Sequence, residues 1–114
     1  MPKRTRRQHR ITLREARELV QRYRNFTREH GGAFAKDAIL RLLDYPGAAG
    51  LRIWYGLHQD GSPAPVLVAV DADHEDLLEA GILEQHMPCP PYCARTSPLG
   101  PQGRAGRARR RAAR

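Results

Sequence analysis

Acidic residues are absent from positions 95–114 of this chain and scarce in the first thirty, while basic residues are scarce in between. Residues 1–30 carry ten Lys/Arg against three Glu, a net of +7. Residues 31–94 carry only Lys36, Arg41 and Arg52 against nine Asp/Glu, a net of −6. Residues 95–114 add seven Arg and no acid, so the whole chain is formally +8. The segment most able to fold is therefore acidic, and the basic character belongs to the ends. Other shortages exclude more. Two cysteines do not make a disulfide framework. No apolar run reaches the length of a secretory signal or a membrane span. Ser62 and Ser97 sit in turn or tail sequence without a nucleophile elbow. There is no phosphate-cradling glycine loop and no pair of histidines on a helix. The expectation is a non-enzymatic, cytoplasmic protein with no membrane association.

What is present fits one domain of 114 residues with polar ends. Residues 1–10 read as a disordered basic arm, residues 11–94 as an α+β domain, and residues 95–114 as a disordered Arg/Gly/Pro/Ala-rich tail. Thr12 and Glu15 form a capping box ahead of a helical pattern through Leu13, Ala16, Leu19, Val20, Tyr23 and Phe26. The arginines fall outside that stripe, and His30-Gly31-Gly32 breaks it. Phe34–Asp44 reads as a second helix, ended by Pro46-Gly47.

Leu51–His58 alternates as a strand does, with Leu51, Ile53, Tyr55 and Leu57 on one face and Arg52, Trp54, Gly56 and His58 on the other. Val66–Val70 is apolar on both faces, as a central strand should be. An acidic turn follows, then a short helix near Leu77-Leu78 and a third strand at Gly81–Glu84. The order α-α-β-β-(short α)-β predicts two helices packed on a small antiparallel sheet.

Four features invite chemistry or binding. In His86-x-x-Cys89-x-x-x-Cys93, one histidine and two cysteines are ligand types that zinc prefers, with a fourth ligand supplied from elsewhere. Free thiols packed under a Pro90-Pro91 strap, or a local disulfide, suit the same residues. The disulfide requires a turn or a cis proline, because an extended Pro-Pro holds the Cα atoms about 12 Å apart. Asp71-Ala72-Asp73-His74-Glu75 imitates the start of an EF-hand. Asp76 stands where that loop needs glycine and Ile82 where it needs glutamate, so a solvated turn capped by Asp73 is expected instead. Trp54 and His58 offer a partner surface, such as a homodimer contact through the sheet face. The arms supply Arg4, Arg6, Arg7, Arg10, Arg104, Arg107, Arg109, Arg110, Arg111 and Arg114 for non-specific contact with nucleic acid or other polyanions.

The stretches ITLREA, FAKDAILRLL, PGAAGLRIWYGL, VLVAVDADHEDLL and PCPPYC, spanning residues 11–93, resemble a family of small uncharacterised bacterial proteins. The resemblance implies one intact intracellular domain and carries over no catalytic residue. The Arg-rich tail looks like an extension peculiar to this member.

These boundaries have a direct test. Limited trypsin digestion should remove residues up to about Arg10 and beyond about Arg95, because both ends are rich in cleavage sites and poor in core-building residues. One resistant core should remain. Rapid native-state cleavage after Arg17, Arg22 or Arg24 would show that the first helix is not a packed element.

Overall fold

A computed structural model describes residues 9–100. The expected arm and tail lie largely outside that range. The described residues fall into two compact units, one holding residues 9–30 with 94–100 and the other spanning Gly31–Cys93. The architecture is α+β, with two α-helices and two small antiparallel sheets. No described helix is long and apolar enough to cross a membrane.

In the first unit, α1 runs Leu13–Arg24 and starts as its sequence dictates. The Thr12 hydroxyl accepts from the Glu15 N–H at 3.1 Å, and the Glu15 carboxylate accepts from the Thr12 N–H at 2.8 Å. Two of the orphan donors of the first turn are thereby satisfied. The Thr12 backbone N–H, and then its hydroxyl, hold the Glu15 carboxyl below its usual range. This contribution to helix stability is present above the unfolded pKa and is lost as pH falls through the folded one. The helix stops earlier than the apolar stripe suggests. Asn25 caps it, and Phe26 leaves it on a bond from its N–H to the Tyr23 carbonyl at 2.9 Å. Arg24 Nη2 donates to the Leu99 carbonyl at 3.0 Å, tying 94–100 to α1.

In the second unit, β1 (Gly31–Ala33) pairs with β5 (Met87–Cys89) in antiparallel register, Gly32 opposite Pro88. Helix α2 covers Lys36–Leu43. Strands β2 (Gly50–Leu57), β3 (Pro63–Val70) and β4 (Asp76–Leu77) form the other sheet in that order, both pairings antiparallel. The β2–β3 turn is built around Asp60. Its carboxylate accepts from the Ser62 N–H at 2.9 Å and hydroxyl at 2.7 Å, while Gly61 takes a φ of 89° that a β-carbon would resist.

The central position of β3 explains why its sequence is apolar throughout. Leu67, Val68, Ala69 and Val70 are all buried. On one face, Leu67 and Ala69 pack with Leu42 of α2 and with Phe34, Ile39, Leu77 and Leu83. On the other, Val68 lies beside Arg52, its cross-strand partner.

Further details depart from expectation, beginning with α2, which starts at Lys36 and not at Phe34. The segment Gly81–Glu84 is not a full strand but a single bridge, Leu83 to Leu67, with backbone bonds of 2.8 and 3.0 Å. The short helix is a 3-10 turn at Leu78–Ala80. The acidic turn is held by Asp71 rather than Asp73, its carboxylate accepting from the N–H groups of Asp73 at 2.8 Å and Glu75 at 3.0 Å.

The core yields a quantitative test. Leu42 is 1% exposed and Leu43 is 40% exposed. Leu42→Ala should cost about 2–5 kcal/mol in urea denaturation, through reduced burial and a residual cavity. Leu43→Ala should cost clearly less. Equal losses would contradict the assignment of α2's inward face.

Candidate functional site

The alternation of β2 carries Arg52, Trp54 and Gly56 on one face, and His58 continues that row one residue past the strand end. Across the sheet, the Leu83–Leu67 bridge docks the segment leading to β5 beside β3. With Leu83 turned toward the Leu67 side, Glu84 follows on the other. Gln85 then takes a positive φ of 66°, and His86 comes next. Residues two apart on a regular strand keep their side chains parallel; the left-handed residue between Glu84 and His86 bends them together.

The result is a carboxylate held between two imidazoles. His86 Nδ1 lies 2.7 Å from Glu84 Oε1, which also accepts from the His86 backbone N–H at 3.2 Å. His58 Nε2 lies 2.8 Å from Glu84 Oε2. That second approach lacks hydrogen-bond alignment, so the buried Oε2 has an ion-pair neighbour and no directed donor. The two rings are nearly parallel, 12° apart, with centroids at 6.5 Å. Burial pushes the Glu84 carboxyl up. The hydrogen bonds from His86, with the charges of His86 and His58, outweigh it and hold the group below the usual carboxylate range.

Access to the cluster is uneven: the side chain of His86 is 4% exposed and that of His58 46%. The His86 ring is walled in by Phe34, at 6.2 Å between centroids, and by the backbone of Gly32. A β-carbon on Gly32 would overlap that ring. Glycine is required there by close approach rather than by backbone angle.

The residues singled out in the sequence end up in different places. Cys89 and Cys93 are joined to each other by a disulfide, with Cα atoms 4.6 Å apart. Both peptide bonds preceding Pro90 and Pro91 are cis. In this state the sulfurs are not thiolates, and the expected set of His86, Cys89 and Cys93 is not the one brought together. His86 faces Glu84 and His58 instead. Trp54 is half-exposed and anchored, its Nε1 donating to Asp76 Oδ2 at 3.0 Å. Arg52 bonds the other Asp76 oxygen at 2.5 Å and lies over the indole at 5.8 Å. Of the expected polyanion contacts, Arg10 is exposed and the others lie outside the described residues. Sequence reading placed His58 on the correct strand face but did not unite it with Glu84, although Glu84-x-His86 was a usable signal.

No protein-family model matches this chain, and neither a curated protein nor a solved structure matches it.

The fit of Gly32 under the imidazole can be measured. Gly32→Ala should destabilise the protein by about 1–3 kcal/mol, as overpacking does, and should shift the His86 ring resonances. Gly31→Ala, with open space around it, should fall within about 0.5 kcal/mol of the parent. Identical behaviour of the two variants would remove Gly32 as the determinant of the His86 position.

Proposed function

We propose that this protein is a small, non-enzymatic binding module whose two basic end segments act together as a contact surface for nucleic acid. The observation that carries this reading is the coincidence of charge with structure. Helix α1 and residues 94–100 share one compact unit, tied by the Arg24–Leu99 bond, while the acidic residues of 31–93 collect in the other. Arg14, Arg17 and Arg22 are exposed along α1, so the basic character of the arm continues onto a folded element. Arginine suits such a surface because its planar fork meets phosphate oxygens in pairs.

Recognition of this kind rests on the phosphate backbone and carries little sequence preference, since the C-terminal segment offers no aromatic ring to stack on bases. A cytoplasmic location accords with this reading. A thiol-dependent activity at Cys89 and Cys93 would first require reduction of their disulfide.

Salt dependence tests the proposal. The intact protein should bind duplex DNA at low salt and release it steeply as salt rises. Replacing Arg14, Arg17 and Arg22 by Gln should flatten the log–log slope by about 0.9 for each phosphate left without its arginine. Replacing Arg107, Arg109 and Arg110 should act in the same sense. Undiminished affinity in both triple variants would sink the arm hypothesis.

A further inference from the structure

We propose that His58, Glu84 and His86 form a binding site for a divalent transition-metal ion of the zinc class, in the acidic unit and independent of the basic ends. Their ligand atoms, two imidazole nitrogens and a carboxylate oxygen, all lie within 4.8 Å of one another. They arrive from two separate stretches of chain, the end of β2 and the approach to β5, so the convergence is a product of the fold. Two imidazoles with one carboxylate are a donor set that zinc takes when it keeps a further position for water. The set is too rich in nitrogen for calcium or magnesium, which favour all-oxygen shells, and it lacks the thiolates that select Cu(I).

The fit asks for a small adjustment. Ligands about 2.0–2.1 Å from a tetrahedral ion stand about 3.3 Å from each other. His86 Nδ1 stands 2.7 Å from Oε1 and His58 Nε2 2.8 Å from Oε2, so each nitrogen contacts a different oxygen. The ring beside the ligating oxygen must draw back by about half an ångström, and the ligand atoms, now spread over up to 4.8 Å, must gather to that spacing. His86, enclosed by Phe34 and Gly32, is the fixed side. His58, half-exposed beyond the strand end, is free to swing and leaves the open position facing solvent. Glu84 Oε2, buried without a directed donor, gains a strong partner when the ion enters. The surrounding unit carries a net charge of −6, which favours a cation over the anions expected at the ends.

The experiment uses the full chain, purified with its disulfide intact and stripped with chelator. Zinc is titrated against a competing chelator, and cobalt(II) is added in parallel to read coordination number and ligand type from its visible absorption. The expected result is one ion per chain, a low-coordinate cobalt spectrum without sulfur-to-metal charge transfer, and zinc-induced shifts of the His58 and His86 ring resonances. Loss of the hydrogen-bond partner behind a ligand alone weakens metal sites by about 10- to 100-fold, so His58→Gln and Glu84→Gln should each weaken zinc by at least about that much. His74→Gln, at an exposed histidine outside the cluster, should bind as the parent does. Circular dichroism confirms that each variant is folded, and the ring resonances of the parent give the answer should a variant fail to fold. Absence of stoichiometric metal, equal affinity in His58→Gln and Glu84→Gln to that of the parent, or shifts at other histidines only would overturn the site.

Discussion

The register of β2 on β3 is the constraint from which the rest of the second unit follows. Gly50 faces Val70 and Leu57 faces Pro63, an eight-residue pairing pinned at one end by the Asp60-Gly61 turn. A slip of one residue would exchange the two faces of β2. Ile53 would leave the side of Leu67, Arg52 and Trp54 would lose Asp76, and His58 would turn away from Glu84. The hydrophobic demand of β3 makes such a slip unfavourable, because its buried run must keep α2 on one side. Core and site thus share this set of backbone bonds, to which the cluster adds the Leu67–Leu83 bridge and the turn at Gln85.

The division of charge has a comparable logic. A single hydrophobic core serving both halves would bring Arg-rich and acidic surfaces under one set of packing requirements. Here the apolar residues of α1 are all at least partly exposed, and its order derives from the capping box, the dipole-matched Arg22 and Arg24, and the tie to Leu99. The Gly31–Cys93 unit keeps its burial in β3 and α2. Each unit has its own source of stability, and each keeps its own sign of charge. The proposed cation site and the proposed polyanion surface thus draw on different units.

Local signals in the sequence translated well where the physics is local. The Thr12–Glu15 box, the alternation from Leu51 and the apolar run at Val66–Val70 were each legible, because capping, pleat and burial leave their mark within a few residues. The pairing of β1 with β5 was not. Gly31-Gly32-Ala33 has no periodicity to read, and its partner lies more than fifty residues away. The triad escaped for a related reason: it needs the β2–β3 register, the Leu67–Leu83 bridge and the left-handed backbone at Gln85 all at once. The cysteines illustrate a third limit. Their spacing was compatible with thiols, zinc or a disulfide, and only the path of the Pro90-Pro91 segment separates these.

That path has a consequence for how much of the unit the disulfide can hold. Cys89 and Cys93 are four residues apart, so their bond closes a small ring at the end of β5 and encloses no other element. By the chain-entropy relation, a loop this short constrains the unfolded state by only about 2 kcal/mol, less than a bond spanning most of a domain. Reduction would loosen a corner without releasing a long segment, while α2, the β2–β3 pairing and the imidazole–carboxylate cluster are held by other interactions. The bond therefore acts first on the edge that β5 forms with β1, where Cys89 lies opposite Gly31.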